Sequence, residues 1–177
     1  MQKLKNEELE RISADEYKNS AKTPIVIILD NIRSMNNIGS AFRTSDSFLV
    51  EEIILTGITA QPPHREINKT ALGATESVPW QYFEDPTDAV VYLQKKEYLV
   101  MAVEQAREST KLHLFQPQNN TKYGLVFGNE VMGVSNAVMN QVDGCLEIPQ
   151  KGSKHSLNIS VSMGVVLWDI AQKMKIF

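Results

Sequence analysis

Pro24-Ile25-Val26-Ile27-Ile28-Leu29-Asp30 is the stretch on which the fold turns. Four β-branched residues and a leucine in an unbroken run suit a strand buried on both faces of a parallel sheet, since a strand with one wet face would alternate apolar and polar positions. Asp30 ends the run. A polar loop over residues 31–37 follows, and then Ile38, Ala41, Phe42 and Ser45 fall at helical spacing, with Asn36 or Asn37 as candidate caps. This is a strand-loop-helix unit.

The unit recurs along the chain. Residues 53–57 read as a second strand, leading into a long polar loop that carries Pro62-Pro63-His64-Arg65. Residues 85–96 read as a helix with Pro86 in its first turn, followed by strands over 98–103 and 124–128. A short helix over 135–141, a strand over 145–148 and a last helix from near Leu157 complete the order. In that last helix Ile159, Met163, Val166, Leu167, Ile170 and Met174 form one apolar stripe, and Val161, Val165 and Trp168 form a second. More than one neighbour should bury it, a second copy of the chain included. Strands alternating with helices predict an α/β fold, a mostly parallel sheet with helices on both faces. The domain spans residues 23–177. Residues 1–22, with five basic and five acidic side chains and Leu4, Leu9 and Ile12 as sparse apolar points, predict a short, exposed, helical N-terminal extension.

Composition narrows the class. A chain of 177 residues with 42% hydrophobic and 22% charged side chains is neither disordered nor collagen-like, and it can build one core without disulfides. Its single cysteine, Cys145, cannot form an internal bridge, which agrees with a reducing compartment. The longest aliphatic run is far short of the ~18 residues of a membrane span, and the polar start has no signal-peptide core, so the expected location is the cytoplasm. On that footing the sequons at Asn68, Asn119 and Asn158 are chance matches. A net charge of −3 argues against coating nucleic acid by bulk positive charge. Between Glu147 and Asp169, however, the only formal charges are Lys151 and Lys154, with His155 beside them. That loop either contacts phosphate or is merely solvated.

Three polar segments each follow a predicted strand, where the carboxyl ends of a parallel sheet place ligands. They run over residues 36–43, 128–135 and 148–158. The second has P-loop glycine spacing in Gly128 and Gly133, but Val134 stands where the phosphate-reaching lysine must be, so a nucleoside triphosphate site is rejected. Glu130 either caps the next short helix or serves a ligand. Arg43 either pairs with Asp46 at i+3 or aims a guanidinium fork at phosphate near a helix start. Ser156 and Asn158 either cap the last helix or belong to a site. The three histidines lack metal-ligand spacing, no metal is expected, and no nucleophile elbow for a serine hydrolase is present.

Together, in this order and spacing, the segments resemble the SpoU/TrmH family of RNA ribose 2′-O-methyltransferases over residues 24–174. Asn37, Gly39 and Arg43 match Asn-x-Gly-x3-Arg. Phe127, Gly128, Glu130 and Gly133 match Phe-Gly-x-Glu-x2-Gly, and Ile148, Pro149, Ser156, Leu157, Asn158 and Ser160 match Ile-Pro…Ser-Leu-Asn-x-Ser. Residues 69–74 and 78–80 are similar to a connecting segment of the family, while Phe48-Leu49-Val50 lacks the glycine that commonly closes the first-motif helix. The resemblance implies a C-terminal deep trefoil knot, an exception to the rule that chains avoid knots. It also implies a homodimer, S-adenosylmethionine as cofactor, and transfer or ribosomal RNA as substrate. By position, Gly128, Ile148 and Leu157 offer backbone groups to the adenosine part, with Val103 and Glu104 bordering it and Phe127, Asn129, Gly133, Pro149, Gln150 and Ser156 completing the pocket. Arg43, Asn37, Glu130, Ser156 and Asn158 form the implied catalytic group, with Arg43 meeting the pocket of the partner subunit. An arginine with a pKa above ~12 is a poor base, so Arg43 is expected to grip phosphate and stabilise the developing alkoxide, oriented by Ser156 and Asn158. A 22-residue lead-in is too short for a separate RNA-binding domain, so substrate choice should come from the core, the Lys151 to His155 loop, the dimer surface or the N-terminal helix. A different class, an idle RNA-binding or assembly module with the same fold, is disfavoured because it would have no chemical need for Arg43, Glu130, Ser156 and Asn158 together.

Overall fold

Tyr17 is the first residue that the core claims. The computed structural model, which describes residues 1–9 and 11–177, starts its first α-helix, α1 (Ala14–Asn19), with a reciprocal cap. The Ser13 hydroxyl accepts from the Glu16 backbone N–H, and the Glu16 carboxylate accepts from the Ser13 N–H. That turn sets Tyr17 into the interior, 2% exposed, where its hydroxyl donates to the Val50 carbonyl at 2.8 Å. Among the described residues of the N-terminal extension Tyr17 alone is buried, a correction to the expectation of a wholly exposed lead-in that a lone tyrosine in a polar stretch gives no reason to foresee.

After it the chain runs β1 (Thr23–Asp30), α2 (Met35–Ser47), β2 (Val50–Thr56), α3 (Arg65–Ala71), α4 (Ala74–Ser77) and β3 (Trp80–Phe83). Then come α5 (Pro86–Lys95), β4 (Tyr98–Val103), β5 (Thr110–Lys111), β6 (Lys122–Phe127), α6 (Asn136–Met139), β7 (Gly144–Glu147) and α7 (Ile159–Lys173). All seven strands join one sheet in the order β3-β2-β1-β6-β4-β7-β5, and every pairing is parallel. β1 lies between β2 and β6, and its aliphatic run is essentially without solvent contact.

The two-residue period of β1 divides the core. Ile25, Ile27 and Leu29 pack with Phe42 of α2 and with Met163, Val166, Leu167 and Ile170 of α7. Val26 and Ile28 pack on the other face with Ala89, Val90 and Leu93 of α5 and Val138 of α6. Each such side chain contributes roughly 1.5–3 kcal/mol on burial. Helices thus cover both faces, as alternation requires. α7 buries only the first of its stripes, leaving Val161, Val165 and Trp168 at 53, 40 and 56% exposure. No helix among the described residues is long and apolar enough to cross a membrane.

Three expectations need correction. α2 is capped by Ser34, not by Asn36 or Asn37, because the Asn37 amide is drawn away to a distant carboxylate described below. The segment read as a long polar loop after β2 contains α3, α4 and β3; α3 carries only Ile67 and Ala71 as buried residues, too few to show a helical period. β5, two residues at the sheet edge, is likewise too short to leave a pattern.

Candidate functional site

β4 and β6, neighbours in the sheet, deliver Val103 and Phe127 at their carboxyl ends, and Ile148 follows β7. These three apolar residues and Leu157 form walls of a cleft of about 510 Å³, within the size range of small-molecule sites. Its remaining lining includes Glu104, Gly128, Asn129, Glu130, Gly133, Gln150, Ser156 and Asn158. Two of the three motif segments therefore face each other across it. Pro149 lines an adjoining shallow hollow instead.

The loop after β6 is closed on itself. Asn129 and Gly133 exchange two backbone hydrogen bonds of 2.9 Å, and the Asn129 Oδ1 accepts from the N–H groups of Val131 and Met132. Asn129 Nδ2 donates to the Asn31 carbonyl at 2.7 Å, tying the loop to the end of β1. Gly133 adopts φ +69°, a left-handed conformation in which a side chain would meet Glu104 Oε2 at 2.3 Å. Glu104 Oε2 in turn accepts from the Val134 N–H at 3.0 Å. Both carboxylates of this region thus hold backbone.

Glu130 joins the motifs. Its carboxylate accepts from the Arg33 and Ser34 N–H groups, both at 3.1 Å, and from Asn37 Nδ2 at 2.9 Å. It secures the start of α2, not of α6, whose first turn is instead fixed by buried Asp30 accepting from Ser135 N–H at 2.8 Å. Asn37 Oδ1 accepts from Asn158 Nδ2 at 3.3 Å and Ser160 Oγ at 3.4 Å. Asn158 also caps α7 through Ser160 N–H while its Nδ2 reaches Asn37, whereas Ser156 is exposed and does not cap the helix. Sequence reasoning missed Asn31, Ser160 as a link to Asn37, and the Arg33–Ser34 backbone, all of which act across large sequence separations.

Burial alone would raise the Glu130 carboxyl; the hydrogen bonds from Asn37, Arg33 and Ser34 outweigh it and hold the pKa below the ordinary glutamate value. A carboxyl depressed in the folded state stabilises fully above its unfolded pKa, and that contribution is lost as pH falls through the lower folded value. Glu130→Gln, which turns an N–H donor toward other donors, should lower the unfolding midpoint at neutral pH. The gap to the unsubstituted protein should narrow on acidification below about pH 4.5, measured by thermal melts across pH. An equal gap at every pH would assign the loss to shape, not charge.

Arg43 stands apart from the cleft. It is exposed on α2, its carbonyl accepts from Ser47 Oγ, and the alternative of a pair with Asp46 is not realised; the Asp46 carboxylate accepts from the Ser77 hydroxyl instead. Within one chain, Asn37, Glu130, Ser156 and Asn158 gather at the cleft and Arg43 does not. Cys145 is buried, which raises its thiol pKa, and it donates to the Glu104 carbonyl, so it offers no nucleophile. Among the described residues no cluster of three His, Cys, Asp or Glu side chains is placed to hold a metal.

Residues 24–168 match the profile described as the SpoU rRNA Methylase family. The 23S rRNA (guanosine-2′-O-)-methyltransferase RlmB of Pasteurella multocida is 30% identical over 166 residues, covering 94% of this chain and 67% of the relative. An AdoMet-bound rRNA methyltransferase from Sinorhizobium meliloti superposes with TM-score 0.79 at 24% identity, over 86% of this chain and 57% of that one. A TrmH/SpoU tRNA modifying enzyme from A. aeolicus gives TM-score 0.77 at 21% identity, covering 91% and 83%. The chain spans 60–67% of the length of the first curated relatives it matches.

Proposed function

Because the chain belongs to the SpoU rRNA Methylase family, we propose that it methylates a ribose 2′-hydroxyl of structured RNA with S-adenosylmethionine as donor. The observation that carries this reading is the bonding of Asn37 to both Glu130 and Asn158, which knits all three motif segments around one cleft. Ribosomal RNA is the favoured substrate, since the curated relatives act on 23S rRNA; likeness to a tRNA modifying enzyme at 21% identity speaks for the fold alone.

The cleft fits the donor. It has apolar walls for a flat base, and Gly128, having no side chain, lets the Gly133–Val134 backbone close directly against it to shape the rim. When bound, S-adenosylmethionine supplies an electrophilic methyl group. The protein's task is to hold a hydroxyl oxygen in line with that carbon, and such positioning supplies roughly 7–11 kcal/mol of the barrier. Glu130 and Asn37 fix the α2 start against the cofactor loop, while Ser156 and Asn158 face the reacting oxygen. Arg43 grips the neighbouring phosphate and stabilises the negative charge that develops on the ribose oxygen as the hydroxyl proton passes to solvent water.

Arg43 reaches a cleft only in a homodimer. The outward stripe of Val161, Val165 and Trp168, continued by Phe177 stacked on Trp168 at 5.5 Å, is an apolar seam of the kind that a second copy covers. α2 packs beside α7, so a partner seated on that stripe also meets the helix that carries Arg43. Residues 23–177 form the methyltransferase unit, with 1–22 as an extension held by Tyr17. Its C-terminal part is a trefoil knot. The sheet order supports this, because β7, the last strand in sequence, lies between β4 and β5 and not at an edge. The bacterial ribosomal RNA methyltransferase relatives favour a cytoplasmic site of action.

Calorimetric titration with S-adenosylmethionine, followed by transfer of a labelled methyl group into total RNA, tests the reading. Binding, and label recovered in alkali-resistant dinucleotides, is the expected result, since a methylated 2′-oxygen blocks alkaline cleavage of its own phosphodiester. No heat at millimolar donor, or label confined to bases, would refute it.

A further inference from the structure

Val131 and Met132 are two large apolar side chains, 73 and 81% exposed, at the tip of the loop that closes the cleft. Their backbone is not free to tuck them away. Both N–H groups are held by Asn129 Oδ1, at 2.9 and 3.1 Å, and the loop's ends are fixed by the Asn129–Gly133 pair. Glu130, immediately before them, is bound to the Arg33 and Ser34 backbone. They occupy the two unspecified positions of Phe-Gly-x-Glu-x2-Gly, so neither the tight turn nor the Asn37 link needs their side chains to be apolar.

From this placement we infer that Val131 and Met132 form a base-contacting rim, against which an unstacked nucleobase of the entering RNA packs. The inference rests on the function proposed above and names the residues that read the substrate. A ribose reaching the cleft carries its base past the mouth, and both residues line that mouth beside Gly128 and Ser156. Across it lies the loop with exposed Lys151, Lys154 and His155, pinned where Gln105 Nε2 donates to the His155 carbonyl at 2.6 Å. Arg33, also exposed, donates its backbone N–H to Glu130, the residue just before Val131. An apolar edge set among cations suits a strand with anionic phosphates and π-faced bases better than an apolar protein surface. RNA recognition generally works through bases splayed out of the stack, and a methionine thioether adapts to a flat polarizable face. A second copy already has its own surface on the outer stripe of α7.

The test compares binding of a short oligoadenylate with that of an abasic ribose-phosphate chain of equal length, at fixed salt. The unsubstituted protein should prefer the oligoadenylate by about tenfold, and the double variant V131S/M132S should reduce that preference about fivefold or more. Binding of the abasic chain, held by the cations, should stay the same in both proteins. V131L/M132L should restore the preference, which a merely structural role would not predict. An unchanged preference in V131S/M132S overturns the inference and leaves the RNA reading standing. A change in oligomeric state with the preference intact also overturns it, by assigning the tip to a protein contact. Failure of the unsubstituted protein to bind either chain removes both the inference and its premise.

Discussion

Arg43→Ala is expected to lower kcat by about 10²–10³-fold at saturating donor and RNA, the usual cost of removing one preorganised donor to a developing oxyanion. The thermal midpoint should hardly move, because the side chain is exposed and makes no hydrogen bond or ion pair within its own chain among the described residues. Arg43→Lys separates charge from shape. It keeps the cation but loses the planar fork that grips phosphate through two parallel bonds, so it should recover only a small part of the lost rate. Nearly full turnover in the lysine variant would eliminate the bidentate role. The dimer adds a sharper discriminator. If Arg43 acts across the seam, mixed dimers of Arg43→Ala with a cleft-defective Asn158→Ala chain should regain activity that neither parent has, since one of the two sites then combines an intact arginine with an intact cleft. Mixed dimers as inactive as their parents would place Arg43 and Asn158 of the same chain in one site.

How much of this was legible beforehand follows the range of the interactions. The unbroken run at residues 25–29 announced a doubly buried strand because burial on two faces leaves no polar position, and both core clusters converge on it. Helix α5 was equally readable, since Asp85 caps it and Pro86 opens it locally. By contrast, α3 is held by what it touches: the Thr70 hydroxyl donates to the Asn36 carbonyl, and no periodic apolar stripe advertises it. The site divides in the same way. The family resemblance groups Gly128, Glu130, Ser156 and Asn158, yet local sequence leaves open whether Glu130 serves α6 or a ligand. Its true partners, Arg33, Ser34 and Asn37, lie more than ninety residues away in sequence. Asn158 showed the opposite ambiguity. Its side-chain oxygen caps α7 locally while its nitrogen reaches Asn37, a partner that spacing cannot reveal. Arg43 stayed undecided for a third reason, because its proposed target lies in another molecule.

Gly128→Ala should abolish useful donor binding. A methyl group there would sit 2.1 Å from both the Gly133 carbonyl carbon and the Val134 nitrogen, and 2.5 Å from the Gly133 oxygen. A flexible side chain could swing aside, but these are backbone atoms that are held from several directions. Gly133 is locked to Asn129 by paired bonds of 2.9 Å, Val134 N–H is held by Glu104, and Ser135 N–H by Asp30. The methyl can be accommodated only by opening the loop. Such overpacking costs about 1–3 kcal/mol, which for a chain of this size lowers the melting midpoint by roughly 3–10 °C. The effect on binding should be larger, about 10²-fold, because the displaced loop carries Glu130 and with it the start of α2. Gly152→Ala provides the contrast, since an added methyl there meets nothing within 4 Å and should leave the melting midpoint unchanged. Circular dichroism alongside calorimetry separates a lost site from a lost fold. Wild-type donor affinity in a folded Gly128→Ala protein would mean that the loop after β6 is not the cofactor loop, and the roles assigned around it would have to move elsewhere.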